Sequence, residues 1–180
     1  MINTKKLLLI SIAFIITACT GKPDGVVAIK DFELDRYLGT WYEIARLDHS
    51  FERGLNNITA EYSVREDGGL KVINSGFSKE DNEWQRAEGK AYFVDQSDNG
   101  HLKVSFFGPF YGSYIIFELD KKDYQYAFVS GPDTSYLWLL ARTPQVDKKV
   151  TELFIKRSKA LGFDTSKLIY VEHDKDVTDK

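Results

Sequence analysis

The side chains that could carry covalent or metal chemistry are few in this chain, and their spacing is unhelpful for catalysis. There is one cysteine, Cys19, and there are three histidines, His49, His101 and His173. A single thiol excludes an internal disulfide. The histidines stand far apart in sequence, without the short repeats that bring imidazoles onto one metal ion. A serine nucleophile raised on a G-x-S-x-G turn is absent, and so are a P-loop, a G-x-G-x-x-G turn and a C-x-x-C pair. The expectation is a protein that is not an enzyme and needs neither cofactor nor metal. Charge narrows the partners further. With 24 basic against 27 acidic residues, a net charge of -3 and no run of Lys or Arg, the chain has no stripe for neutralising phosphates, so nucleic acid is set aside.

Cys19 gains meaning from what precedes it. Lys5 and Lys6 lead into the apolar run Leu7 to Ile16, which is half the roughly 20 residues a spanning helix needs but suits the h-region of a secretory signal. Ile16-Thr17-Ala18-Cys19 then resembles the bacterial lipobox, in which cleavage before the cysteine leaves it carrying acyl chains. The expectation is a signal peptide over 1–18, a lipidated Cys19 and tether over 19–30, a folded domain over 31–173 and a flexible tail over 174–180. More than one acyl chain is needed for stable anchoring, at about 0.8 kcal/mol per buried methylene. Thr20, where inner-membrane lipoproteins commonly carry Asp, points to the outer membrane, with the domain facing the periplasm.

The elements that position any site are short strands. Ile58 to Arg65 alternates apolar and polar residues, Glu66-Asp67-Gly68-Gly69 supplies a tight turn, and Leu70 to Phe77 returns. Similar segments run from Leu38 to Asp48, Arg86 to Phe93, Leu102 to Phe106, Tyr111 to Asp120, Tyr124 to Ser130 and Tyr136 to Arg142, making eight in meander order. Ala87, Gly89 and Ala91 form an inward face of very small side chains, which leaves volume unfilled. Eight antiparallel strands can close into a barrel that holds one small ligand or stack as a sandwich, and periodicity does not separate the two. One helix is expected from Asp147 to Leu161, with Val150, Leu153, Phe154 and Leu161 as its apolar stripe, Asp147 as N-cap and Gly162 as its stop. Leu168 to Val171 reads as a last strand outside the eight, and Glu172 to Lys180 as a solvated tail.

Gly39-Thr40-Trp41 in the first strand, and Gly131-Pro132-Asp133 followed by Tyr136 to Arg142 about a hundred residues later, resemble the conserved motifs of the lipocalins. Phe51-Glu52-Arg53-Gly54, Gly89-Lys90-Ala91-Tyr92-Phe93 and Val104 to Gly112 are similar to the bacterial outer-membrane lipoprotein subgroup. The resemblance implies an all-β fold, an eight-stranded antiparallel up-and-down barrel with a C-terminal helix outside it and a short extra strand. It also implies binding, storage or transport of fatty acids, lysophospholipids or similar amphiphiles. The alternative is an envelope structural or interaction protein whose barrel is plugged.

By the same resemblance Gly39, Trp41 and Arg142 are structural, the arginine packing across the tryptophan ring at the closed end. The expected lining of a ligand cavity is Ala60, Tyr62, Val72, Ala91, Phe93, Val104, Phe106, Tyr114, Tyr136 and Trp138. Arg46, Asp48, His49, Glu52 and Arg53 fall in the first strand and the loop across the mouth, where they either meet a polar headgroup or are simply solvated. The aromatic segment Phe106 to Tyr111 folds over the barrel end, touches membrane or meets a partner. A homodimer sharing two mouths is conceivable.

Overall fold

The computed structural model describes residues 21–174, so the signal segment, Cys19 and the end of the tail lie outside the described residues. Eight strands run β1 Gly39–Arg46, β2 Leu55–Val64, β3 Leu70–Ser78, β4 Glu83–Phe93, β5 His101–Ser105, β6 Gly112–Leu119, β7 Tyr126–Ser130 and β8 Leu137–Ala141. Each pairs antiparallel with the next, and β8 pairs back onto β1 through Tyr42↔Ala141 to Arg46↔Trp138. The sheet is therefore a closed barrel rather than a sandwich, and closure leaves no long edge unpaired. The short loops 65–69, 94–100 and 120–125 gather at one end; 47–54, 79–82, 106–111 and 131–136 surround the other.

β1 and β2 pair only from Gly39↔Tyr62 to Tyr42↔Thr59, after which β2 diverges. A two-residue strand, β9 Ile169–Tyr170, takes its place beside β1 through Ala45↔Tyr170 and Arg46↔Ile169. The chain beyond β9 then stitches β2 to the barrel. Asn57, in the left-handed region at φ 53°, donates its N–H to the Glu172 carbonyl at 2.9 Å and accepts from the Asp174 N–H at 2.8 Å. His173 bonds the Glu43 carbonyl at 2.8 Å. Glu172 to Asp174 thus differ from a solvated tail, because they supply the backbone partners that β2 loses where it leaves β1.

Two apolar clusters lie on opposite faces of the wall. Inside are Trp41, Tyr62, Leu70, Val72, Ala91, Leu102, Ile116, Val129 and Leu140. Outside, α2 (Lys148–Ala160) lays Phe154, with Val150 and Leu153, on Ile44, Ala45, Ile115, Phe128, Leu137, Leu139 and Ala141. β7 and β8 are consequently buried on both faces, which is why they read as nearly continuous apolar runs. Asp147 caps α2 by accepting from the Lys149 N–H at 2.8 Å, and Gly162 ends it at φ +86°.

The stretch before the barrel is not free in space. Val26 is buried in the outer cluster, and Ile29 exchanges backbone bonds with Ile116 and Gly100. A one-turn helix, α1 Leu34–Tyr37, follows; four residues carry no periodicity, so nothing in the sequence pattern announced it. It plugs the narrow end with Tyr37, whose carbonyl accepts the Trp41 indole N–H at 2.7 Å. The Arg142 guanidinium lies 3.9 Å from the Trp41 ring centre and donates to the carbonyls of Thr40 and Arg36 at 2.8 and 2.6 Å. Gly39, at φ +87°, makes the turn from α1 into β1 that sets this arrangement.

Phe154 is fully buried against Phe128, their ring centres 5.0 Å apart. Phe154→Ala should therefore cost about 3 to 5 kcal/mol of stability, measured as a lowered denaturant midpoint with unchanged slope. A loss below about 1 kcal/mol would mean that α2 does not brace the wall.

Candidate functional site

The barrel encloses a cavity of about 570 Å³, within the range of about 300 to 1,000 Å³ usual for small-molecule sites, and its lining reaches the loops 47–54, 106–111 and 131–136 at the mouth and none of the loops at the other end among the described residues. Its depth comes from small side chains on inward positions. Ala60 on β2, Ala87 and Ala91 on β4 and Val72 on β3 stand where larger residues would meet across the barrel. Gly89 also points inward, but a β-carbon there would lie 2.8 Å from the Phe106 ring, so that space is filled by Phe106 rather than left open. The barrel interior is thus a cavity and not the filled core supposed by the alternative reading.

Nine of the ten expected lining residues do line this cavity: Ala60, Tyr62, Val72, Ala91, Val104, Phe106, Tyr114, Tyr136 and Trp138. Phe93 does not. It sits nearer the closed end, 6.1 Å from the ring of Phe32, and packs from the side onto the inner core. The floor is a chain of phenols, Tyr37 to Tyr114 at 2.7 Å and Tyr114 to Tyr62 at 2.8 Å. Burial pushes all three hydroxyls above the usual phenol range, so the floor stays uncharged. Higher on the wall, Asn74 Oδ1 and Ser105 Oγ face the cavity without a protein partner.

The wall just inside the mouth holds the groups that sequence reasoning left between headgroup contact and solvent. The structure divides them. Asp48 and Arg53 form an exposed pair, whereas Arg46, His49 and Glu52 are buried. A β-bulge between Glu43 and Ala45 is the cause: past it the alternation changes phase, so Glu43 and Arg46 both face in while Ala45 faces α2. Arg46 Nη1 donates to Glu43 Oε1 at 3.1 Å and Nη2 to the Glu52 carbonyl at 2.8 Å, and Trp138 Nε1 donates to Glu52 Oε2 at 3.2 Å. His49 stacks on Tyr136 with ring centres 4.4 Å apart and on Phe51 at 5.2 Å. Burial lowers the His49 pKa, which keeps the ring neutral within this stack.

One guanidinium faces two buried carboxyls. Burial and the nearby Glu52 hold Glu43 well above the usual carboxylate range, against the pull of Arg46; burial raises Glu52 as well, opposed by the Trp138 N–H and Arg46. The group as a whole approaches neutrality when Glu43 keeps its proton, which suits a wall between an apolar cavity and water. Tyr37, Glu43, Glu52 and Phe51 all line the cavity and were missed as lining residues, because each lies beside an element that periodicity does not reveal: the one-turn helix, the bulge, or the loop across the mouth.

Comparison with known proteins follows the same outline. A family model described as a lipocalin-like domain matches residues 32–173. The chain is 60% identical to the outer membrane lipoprotein Blc of Vibrio cholerae over 93% of this chain and 98% of that protein. It is 51% identical to the outer membrane lipoprotein Blc of Escherichia coli strain K12, over 89% and 91%. Among solved structures, insecticyanin from the tobacco hornworm Manduca sexta superposes with a TM-score of 0.68, at 22% identity, over 86% of this chain and 88% of that one.

The buried acid pair has a pH signature. A carboxyl whose folded pKa is raised binds its proton more tightly in the folded state, so its contribution to stability falls as pH climbs from the ordinary carboxylate range toward the raised value. Glu43→Gln removes that loss. The stability of Glu43→Gln relative to the natural protein should therefore increase from pH 5 to pH 8 in denaturant titrations; a difference that stays constant with pH would contradict a retained proton on Glu43.

Proposed function

The chain belongs to the lipocalin family, and from that premise we propose that it is a lipid-binding protein of the outer membrane, anchored through acyl chains on Cys19 and facing the periplasm. Its ligand is the acyl chain of a fatty acid, a lysophospholipid or a similar amphiphile, taken tail first. The observation that carries this reading is the cavity itself, apolar along its depth, floored by neutral phenols and open at one end. A chain of 14 to 18 carbons buried there would gain about 11 to 14 kcal/mol gross at about 0.8 kcal/mol per methylene. Association and ordering losses bring the net to roughly micromolar or somewhat tighter affinity.

The head of the amphiphile stays at the mouth, where the exposed Phe51 ring lies beside the bonded Trp138 and Glu52 and the stacked His49 and Tyr136. Nothing in this arrangement calls for a nucleophile or an activated water, and the reading is of binding and carriage rather than catalysis. The lipobox-like string ending in Cys19, together with relatives named as outer membrane lipoproteins, supports the anchor and the location.

The test is a calorimetric titration of the chain from Thr20 onward, which contains every described element, with palmitate and with palmitoyl lysophospholipid. About one ligand per barrel is expected. Ala91→Phe, which fills the cavity at mid-depth, should weaken binding at least tenfold with the melting temperature changed little, and Trp138→Ala should weaken it less. Absence of saturable heat with either ligand would sink the carrier reading, and full affinity in Ala91→Phe would place the chain elsewhere.

A further inference from the structure

The rim of the mouth is the most apolar exposed part of the described surface. Phe107 and Phe110 in the 106–111 loop are 79% and 73% exposed, and Phe51 in the 47–54 loop is 58% exposed. All three rings also line the cavity, so one apolar surface runs from the outside of the rim to the inside of the barrel. The 106–111 loop has no charged residue and the 131–136 loop has only Asp133; the other charges of the rim, Asp48, Glu52, Arg53, Lys79, Glu80 and Asp81, lie in the 47–54 and 79–82 loops. The opposite end is charged throughout: Arg65, Glu66 and Asp67 in one loop, Asp95 and Asp98 in the next, and Asp120, Lys121, Lys122 and Asp123 in the third. Three exposed aromatic rings continuous with an apolar cavity are a surface made to be covered.

What covers it follows from the path of residues 21–32. Gly21 packs against the 131–136 loop: a β-carbon on it would lie 3.6 Å from the Pro132 carbonyl oxygen. The chain then passes the end of α2, where a β-carbon on Gly25 would lie 3.4 Å from the Leu161 side chain, buries Val26, and runs down the wall to the narrow end, where the Phe32 N–H bonds the Asp98 carbonyl at 2.9 Å. The stretch expected as a tether is thus strapped to the barrel, and it starts at the mouth. Cys19 is two residues before Gly21, a reach of at most about 7 Å. The far end of the barrel is on the order of 20 Å away, from eight residues of β1 at about 3.3 Å each with a strand tilt of about 40°. A leash that short holds the mouth at the membrane and keeps the charged end away.

We propose that the mouth docks on the bilayer that carries the Cys19 lipid, with Phe51, Phe107 and Phe110 entering the headgroup region, so that an amphiphile passes between bilayer and cavity without crossing water. The proposal rests on the lipidated anchor of the preceding reading. Aromatic side chains favour that interfacial depth, and the rim's apolar continuity with the cavity gives an acyl chain an unbroken apolar path.

The test uses the full-length lipidated protein in vesicles of phosphatidylethanolamine and phosphatidylglycerol. Phe110→Cys at the rim and Val64→Cys at the narrow end, where the side chain is also exposed, are labelled in separate samples with an environment-sensitive maleimide dye; a lipidated Cys19 does not react. Vesicles containing brominated lipid should quench the label at position 110 at least threefold more than at position 64. Equal quenching, or stronger quenching at 64, overturns the docking. A blue-shifted label at 110 that brominated lipid does not quench would mean that a second copy covers the rim, which also overturns it. Labelling of Cys19 itself would remove the anchor and with it the docking and the membrane placement, an outcome separate from failure of the lipid titration above, which decides the carrier reading.

Discussion

A barrel with a cavity of about 570 Å³ forgoes inward packing between its own side chains, so the wall around it must be held from outside and from below. Each side chain facing the void lacks partner atoms on one side and loses their dispersion contacts. The compensation is visible on the outer face, where α2, Val26 and Phe163 cover the strands β6 to β8 and bury them on both sides. It is visible again at the narrow end, where Trp41, Tyr37 and Arg142 lock the start of β1 to the end of β8 through a ring contact and three hydrogen bonds to carbonyls. Among the described residues the outer cluster does not extend over β2 to β5, the side that carries the cavity-lining Ala60, Ala87 and Ala91.

The mouth obeys a different constraint. Charged groups brought inside must be paired and nearly neutral in sum, and the Glu43, Arg46 and Glu52 group meets that requirement through a guanidinium shared by two carboxyls and a carboxyl pushed toward its protonated form. Trp138 ties this group to β8, and His49 ties the mouth loop to Tyr136. The loop is thereby folded in, leaving Phe51 exposed at the rim with Phe107 and Phe110. A polar lock and an apolar lip in one opening fit a ligand whose tail goes in and whose head stays out.

Much of this was legible in the amino-acid sequence because strands facing a core on one side and water on the other must alternate, and turns must carry residues such as Gly68 and Gly100. The eight strands, the helix with its Asp147 cap, and the extra strand follow from those rules, whereas closure into a barrel was implied only by the lipocalin resemblance. What escaped them were places where local rules yield to tertiary ones. Bulges reverse the facing of side chains, so Arg46 could not be placed inside by counting from Trp41. β4 begins at Glu83 rather than Arg86 because its first residues are held by backbone pairing to β3, from Phe77↔Trp84 to Ser75↔Arg86, and not by an apolar face. Phe93 has the right phase but the wrong height. Glu172 to Asp174 look like tail until the gap between β1 and β2 shows what they bond to.

The account turns on an acyl chain entering tail first, so the most direct measurement is anomalous diffraction from crystals grown with a fatty acid brominated at its terminal carbon. The account predicts one bromine peak deep in the cavity, among Val72, Ala91 and Leu102 above the Tyr37, Tyr62 and Tyr114 hydroxyls, with the carboxylate at the mouth. A bromine at the mouth, or on the outer surface with the cavity unoccupied, would contradict it.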